Sequence, residues 1–204
     1  MMEPQAISVA EVLQQRRSIR SYRDQPVSRK LIEQILVSAQ WAPSAHNRQP
    51  WRFVIIEQVH HRERLAAAMG ARLRTDLLAD GVPLPQIEAD CARSRKRILA
   101  APVLILICLS MVDMDAYPDE KRAQAEFLMA VQSVAMAGQN LMLAAHAAGL
   151  ASCWLCAPLF CPQTVTDCLD LPEDWQAQGL ITLGYAADQR EKSRKPIVEA
   201  LLWR

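Results

Sequence analysis

The sequence predicts a single, helix-rich α+β domain in a chain of 204 residues. Two observations carry this prediction. Seven consecutive apolar residues, Val103–Leu109, suit a strand that is buried on both faces of a sheet. The segment 121–148 is rich in Ala, Leu, Met and Gln and is apolar around most of its circumference, which is typical of a central helix or an interface helix.

The N-terminal half is predicted to begin with two capped helices. Ser8 and Glu11 fit a capping box at the start of a helix over 9–16. Ser28 can cap a second helix, which must end before Pro43. The elements predicted next are a loop over 42–50, a strand over 51–57, a helix over 61–78, a break at 80–85, and a charged helix to about Leu99.

The C-terminal half supplies the remaining strands. Gly149 suits the end of the long helix, because glycine readily adopts the left-handed conformation found there. The elements predicted after it are a strand over 152–155, a helix from Pro162 to about Leu169, a strand over 180–183, and an extended tail from Gly184 to Arg204. With the earlier elements, this gives three or four strands among helices.

Composition and charge narrow the range of functions. The formal net charge of +1 gives no overall electrostatic reason to bind nucleic acid or an anionic membrane. The N-terminus has neither the cationic start nor the apolar stretch of a signal peptide. The longest apolar run, near 100–109, is interrupted by Pro102 and is too short to span a bilayer. We therefore expect a soluble, cytoplasmic protein.

The six cysteines predict free thiols rather than disulfides. Most lie within apolar runs, and a disulfide framework is uncommon in a cytosolic chain of this length. Cys153 and Cys156 have C-x-x-C spacing, but a second such pair and a His-x-x-x-His are absent, so we expect no metal site. Packing thiols, residues that line a cofactor, and a redox pair remain as alternatives.

Two basic segments could bind phosphate. Arg16, Arg17, Ser18 and Arg20 place three guanidinium groups and a hydroxyl within five residues. Arginine binds phosphate through paired, charge-assisted hydrogen bonds. The alternative is a solvated helix end whose positive charge is stabilised by the helix dipole. The segment 192–195, Lys-Ser-Arg-Lys, leaves the same choice between a binding site and a charged tail.

The loop 42–51 carries a different mixture of side chains. Two prolines bracket a hydroxyl, two carboxamides and an imidazole, and such groups can both donate and accept hydrogen bonds. This mixture suits the pyrimidine edge and ribityl chain of a flavin. The alternative is a turn in which the Ser and Asn side chains bond to their own backbone.

Together, these segments resemble the nitroreductase family over nearly all of residues 8–204. The likeness is carried by Arg-Arg-Ser-x-Arg at 16–20, Pro-Val at 26–27, and Ala-Pro-Ser-Ala-x-Asn-x-Gln-Pro-Trp at 42–51. Gly-Leu at 149–150, Leu-Gly-Tyr at 183–185 and Lys-x-Arg at 192–194 extend it. The resemblance implies a mixed sheet flanked by helices, tightly bound FMN, NADH or NADPH as electron donor, and an extensive homodimer.

The resemblance also implies roles for individual residues. It assigns the FMN phosphate and ribityl chain to one subunit and the contacts from 43–49 to the partner, with Arg17 acting mainly through its backbone. It identifies neither a catalytic acid nor a base. The implied cofactor-binding residues are Arg16, Arg17, Ser18, Arg20, Pro43, Ser44, Asn47, Gln49, Lys192 and Arg194, with Cys156 and Ala157 near the reactive ring.

The implied function is that of an FMN-dependent oxidoreductase acting on a small electrophilic acceptor. The C-terminal half is more similar to the FMN-binding reductase domain attached to the glutamate ligase of deazaflavin-coenzyme biosynthesis, through Tyr-Pro-Asp at 117–119 and Ser-Cys-Trp at 152–154. A dehydro-deazaflavin reductase is therefore an alternative. Others are the flavin-cleaving branch that makes a lower cobalamin ligand and a non-catalytic flavin-binding protein.

The apolar pattern predicts a dimer independently of the resemblance. A single small sheet cannot cover all the apolar positions of the 121–148 helix. The C-terminal arm, about 188–204, also ends in apolar residues that need a partner. Both requirements are met by a domain-swapped homodimer in which the helices pack together and each arm wraps the other subunit.

Overall fold

The computed structural model describes residues 8–188, 191 and 193–204 and confirms the predicted α+β class. Every predicted helix and strand is present, with bounds that differ by a few residues. The helices are α1 (Val9–Gln15), α2 (Arg29–Ala39), α3 (Val59–Ala79), α4 (Leu84–Leu99), α5 (Glu120–Ala147) and α6 (Pro162–Leu169). The strands are β1 (Trp51–Ile56), β2 (Val103–Leu109), β3 (Ala151–Leu155) and β4 (Gln176–Gly184), and short 3-10 helices cover Ala45–Asn47, Ala157–Phe160 and Ile197–Ala200.

The four strands form one sheet in the order β1-β2-β4-β3. All three strand pairs are antiparallel, and at the centre Ile105 of β2 lies opposite Ile55 and Ile181. Within the described residues, the parallel part of the predicted mixed sheet is a single bridge between Ser18 and Ser152. β4 begins four residues before its predicted start because its first residues pair with the end of β2, whereas β3 pairs only with Leu180–Gly184.

Helices cover both faces of the sheet. On one face, α2 and α5 pack on Ile105 and Ile107; on the other, α3, α4 and α6 pack on Leu104 and Leu106. All seven residues of β2 are therefore buried, as predicted for this apolar run. Burial also raises the pKa of the Cys108 thiol to about 12, so this cysteine is an inert packing residue.

Local signals set the ends of the helices. Both hydrogen bonds of the predicted capping box are present between Ser8 and Glu11, and Ser28 accepts a hydrogen bond from the backbone of Leu31. At the end of α5, Gly149 has a φ of +77°, and the following Leu150 N–H donates to the Ala145 carbonyl at 2.8 Å. These left-handed termination contacts turn the chain directly into β3.

The long helix α5 is the structural centre of the chain. Within the described residues it is the one helix long and apolar enough to cross a membrane by length and composition, and it packs on α2 and on the sheet. Phe127, Leu128 and Met136 nevertheless lie on its exposed side. Part of the apolar surface predicted for this helix thus remains uncovered within one protomer.

The indole of Trp154 is wedged between α5 and β4. A Cβ added at Gly138 of α5 or at Gly179 of β4 would overlap the Trp154 ring. Glycine is required at both positions because the helix, the strand and the indole approach too closely for any side chain. The sheet edge that carries β3 is therefore fixed against the central helix.

We predict that Gly138→Ala lowers the free energy of unfolding by about 1–3 kcal/mol, since overpacking outweighs the higher helix propensity of alanine. Gly70→Ala in α3 is the matched control, because a Cβ there meets nothing within 4 Å. This control should gain about 0.5–1 kcal/mol. Urea denaturation of both variants measures the difference, and a Gly138→Ala variant as stable as Gly70→Ala would contradict the wedge.

Candidate functional site

The segment that follows α1 is fixed against the edge of the sheet. The Ile19 N–H donates to the Ser152 carbonyl at 3.2 Å, which aligns this segment with β3. The Tyr22 hydroxyl lies 2.6 Å from the Ile19 carbonyl oxygen and 2.6 Å from Thr182 Oγ1 of β4. Burial raises the pKa of Tyr22, so its hydroxyl stays protonated and available to donate. These contacts determine where the neighbouring arginines lie.

Three arginine side chains in this segment bury nitrogen atoms that have no hydrogen-bond partner among the described residues. They are Arg16 Nη1, Arg17 Nε and Arg20 Nε. Burial lowers the pKa of Arg16, and the charges of Arg194 and Arg17 lower it further. Like charges with unused donors are costly to bury unless an anion satisfies them. This arrangement therefore fits a phosphate group and argues against the solvated helix end.

A cavity of about 430 Å³ lies beside these arginines. It is formed by the end of α1, the turn from α5 into β3, and the start of the C-terminal tail. Two carboxylates of the tail share it with the cationic side chains. Its lining residues are Gln15, Arg16, Arg17, Ile19, His146, Gly149, Leu150, Ala151, Ser152, Ala186, Asp188 and Glu191.

His146 is a cavity residue that the sequence analysis missed. It lies in the last turn of α5, and its Nε2 atom is buried with no hydrogen-bond partner among the described residues. Burial and then the charges of Arg16 and Arg17 lower its pKa below the ordinary histidine value. The one signal in the sequence was a histidine three residues before the Gly149 that ends the helix.

Ser18 lies beside the start of β3, Cys153 lies in the middle of the strand, and Cys156 follows its end. Burial raises the pKa of the Cys153 thiol and outweighs the lowering effects of the Arg20 charge and the Ser18 side chain. Cys156, just beyond the strand, is exposed. The two thiols therefore face different surroundings, one inside the sheet and one at the surface. At about 3.3 Å per residue, β3 carries the chain roughly 13 Å from Ser152 to Cys156.

The loop that follows α2 has a strained backbone. His46, Asn47 and Gln49 all have φ between 49° and 55°, in the left-handed region. Such residues cost about 1–3 kcal/mol each and persist where surrounding contacts impose them. Ser44 Oγ accepts from the Gln49 N–H at 3.0 Å, and Asn47 Oδ1 accepts from Gln49 Nε2 at 3.3 Å. These bonds hold the loop side chains in one arrangement.

Helix α5 anchors this loop from outside. The buried Ser133 hydroxyl accepts from the Ala45 N–H at 3.2 Å. Arg48 forms an ion pair with Asp115, whose own N–H donates to the buried Glu126 carboxylate at 3.2 Å. The loop is thus tied to two positions that lie about two turns apart on one side of α5. Asn47 and Gln49 nevertheless remain exposed.

Only part of the predicted cofactor-binding set meets at the cavity. Arg16 and Arg17 line it, and Arg194 lies close enough for its charge to act on Arg16. Lys192 lies outside the described residues. Among the described residues, nine predicted positions do not line this cavity: Ser18, Arg20, Pro43, Ser44, Asn47, Gln49, Cys156, Ala157 and Arg194.

Comparison with known proteins gives a family and a fold. A model of the nitroreductase family matches residues 13–185. The 5,6-dimethylbenzimidazole synthase of Rhodospirillum rubrum is 30% identical over 200 residues, covering 94% of this chain and 87% of the relative. An NADH dehydrogenase of Thermus thermophilus is 28% identical over 214 residues, covering 93% of this chain and 92% of the relative. A nitroreductase candidate from Desulfovibrio desulfuricans, solved in complex with FMN, is 27% identical with a TM-score of 0.74, covering 100% of this chain and 98% of that chain.

We predict that Ser133→Ala destabilises the protein by about 1–3 kcal/mol, because the Ala45 N–H loses its acceptor. Ser38→Ala is the matched control, since Ser38 is an exposed helical serine whose hydroxyl bonds only within α2, to the Gln34 carbonyl. The control should change stability by less than about 0.5 kcal/mol. Thermal unfolding with limited proteolysis of the loop checks both, and equal stabilities would show that Ser133 does not anchor it.

Proposed function

The chain belongs to the nitroreductase family, and on that premise we propose that it passes hydride from NADH or NADPH through bound FMN to a small electrophilic acceptor. When bound, the flavin supplies the redox chemistry, and the protein binds, orients and shields it. The observation that carries this proposal is the set of buried arginine nitrogens, in and next to the cavity lining, that have no hydrogen-bond partner among the described residues. It is a site that needs an anionic ligand.

The proposed flavin site has a cationic end and a neutral polar end. Arg16, Arg20 and Arg194 would hold the phosphate, with Ser18 toward the ribityl chain. Lys192 would join them. The segment at Cys156 and Ala157, at the far end of β3, would lie near the reactive ring. In support, β3 leads from the cavity at Ser152 directly to this segment.

The second half of the proposed site comes from a partner subunit. Asn47 and Gln49, with Ser44 and Pro43, would contact the flavin held by the other protomer. In support, their loop is hydrogen-bonded to α5, yet its side chains do not line the cavity of their own protomer. Such a division makes flavin binding and dimerisation thermodynamically linked.

Uncovered apolar surface supports the homodimer. Leu128 on α5 is 54% exposed, and in the C-terminal arm Leu202 and Trp203 are 75% and 89% exposed. Exposed apolar surface of this kind marks an interface. We propose that two α5 helices pack together and that each arm lies on the other subunit. The Arg194 of each arm stays beside the cavity in this arrangement, as its effect on the Arg16 pKa requires.

Two other reactions are alternatives to the reduction of a general electrophilic acceptor. The likeness at 117–119 and 152–154 favours a dehydro-deazaflavin reductase. The Rhodospirillum rubrum relative, which covers 94% of this chain, favours a flavin-cleaving reaction. Admitting air after anaerobic reduction of the bound flavin separates the two reductases from the flavin-cleaving enzyme. A reductase regains its flavin spectrum, whereas a flavin-cleaving enzyme loses flavin absorbance for good.

We predict that the purified protein carries FMN and that NADH or NADPH bleaches its visible absorbance under anaerobic conditions. The reason is that the nicotinamide must reach the flavin if the chain is an oxidoreductase. Anaerobic titration with each nicotinamide measures both the reduction and the preferred donor. A bound flavin that neither nicotinamide reduces would identify a flavin-binding protein without turnover and would reject the proposed reaction.

We predict that Arg20→Ala and Arg194→Ala each weaken FMN binding by roughly ten- to a hundredfold, because each removes a charged contact to phosphate. Arg29→Ala is the matched control, since the Arg29 side chain is 80% exposed and pairs with Glu57. Its FMN affinity should equal that of the wild type. Fluorescence titration gives the dissociation constants, and wild-type affinity in both site variants would reject the phosphate clamp.

A further inference from the structure

His146 lies where its imidazole could bind a ligand in the cavity. It lines the same cavity as Arg16 and Arg17, and its buried Nε2 atom has no hydrogen-bond partner among the described residues. A buried imidazole nitrogen normally has a partner. The unused Nε2 therefore needs a group that enters the cavity.

The charges around His146 favour an anion as that group. Arg16 and Arg17 face it from the segment after α1, and both lower its pKa, while Arg194 acts on Arg16 from the tail. The turn from α5 into β3 adds Gly149, Leu150, Ala151 and Ser152, none of which is charged. The tail also brings Asp188 and Glu191 to the lining.

His146 lies in the last turn of α5, where an anionic ligand needs additional positive charge from side chains. The C-terminus of a helix carries partial negative charge, which favours a protonated histidine and disfavours an unaccompanied anion. A phosphate placed here must therefore be neutralised by side chains. The two arginines supply part of that charge, and an imidazole in the last turn of the helix is in position to supply more.

We propose that His146 is a further phosphate-binding residue, whose imidazole donates a hydrogen bond from Nε2 to the FMN phosphate and takes up a proton from solvent when FMN binds. This inference rests on the proposed function, because it requires FMN as the ligand. In the free protein, burial and the charges of Arg16 and Arg17 lower the His146 pKa and so favour the neutral imidazole. A phosphate dianion neutralises the repulsion from Arg16 and Arg17, so the His146 pKa rises in the complex. No covalent bond changes.

The proton uptake determines the sign of the pH dependence. A group whose pKa rises on binding strengthens binding at low pH, and the gain is lost as pH rises through the pKa of the complex. The second ionisation of a phosphate monoester lies near pH 6, so FMN stays largely dianionic above it. FMN affinity should therefore fall by roughly three- to fivefold between about pH 6.5 and 8.5, if the His146 pKa rises by about one on binding.

The test combines a histidine titration with binding measurements on the whole protein. The chain has four histidines, so the ring signals can be assigned by single substitutions. NMR titration of apoprotein, of protein with FMN, and of protein with inorganic phosphate measures the His146 pKa in each state. The expected result is a higher pKa with FMN. A rise with inorganic phosphate as well shows that phosphate alone suffices.

Substitutions separate hydrogen bonding from charge. His146→Ala should weaken FMN binding roughly tenfold at pH 6.5 and remove the pH dependence. His146→Gln keeps a neutral donor, so it should recover part of the affinity but show the same flat profile. His60→Gln is the matched control, since His60 is exposed on α3 away from the cavity. It should keep both the affinity and the pH dependence of the wild type.

The outcomes distinguish this inference from the proposed function. A wild-type protein that does not bind FMN would overturn the proposed function. FMN binding with an unchanged His146 pKa, or a His146→Gln profile as steep as that of the wild type, would overturn only the role of His146. A His146 pKa that is high before any ligand is added would show instead that Asp188 or Glu191 is its partner.

Discussion

The hydrogen bonds that fix the segment after α1 to the sheet are the constraint on which the rest of the site depends. The Ile19 N–H donates to Ser152 of β3, and the Arg23 N–H donates to the Tyr185 carbonyl beyond β4. The backbone is held at both points, and the guanidinium groups between and beside them bury nitrogens that have no hydrogen-bond partner in the described part of the chain. Burying such groups costs free energy, which an anionic ligand can offset. Ligand binding should thus stabilise the fold.

Helix α5 connects the parts of the site that are distant in sequence. One side of it packs on the sheet and leaves room at Gly138 for Trp154, which fixes the edge strand β3. Its middle holds the strained loop through Ser133, and its last turn brings His146 to the cavity. A single helix therefore sets the relative positions of the sheet edge, the loop and the cationic cavity, and its uncovered apolar side supports assembly with a second copy.

The sequence was sufficient to predict the elements and the fold class, since capping residues, the all-apolar run of β2 and the Gly149 stop act locally. It placed Arg16 and Arg17 at a candidate phosphate site, where the structure adds buried nitrogens that have no hydrogen-bond partner among the residues it describes. His146, Ser133 and the Trp154 wedge were missed, because each matters only through residues far along the chain. An apolar helix pattern gives no sign that one serine faces a loop 88 residues away.

The central claim is that each flavin is held by the arginine segment of one protomer and the loop of the other. Mixing Arg20→Ala protein with Asn47→Ala protein, after subunit exchange, tests it most directly through FMN stoichiometry. A shared site predicts that each mixed dimer regains one intact site, so that about a quarter of the chains bind FMN tightly after random pairing. If both defects lay in the same site of one protomer, mixing would restore no tight binding, and the shared site would be contradicted.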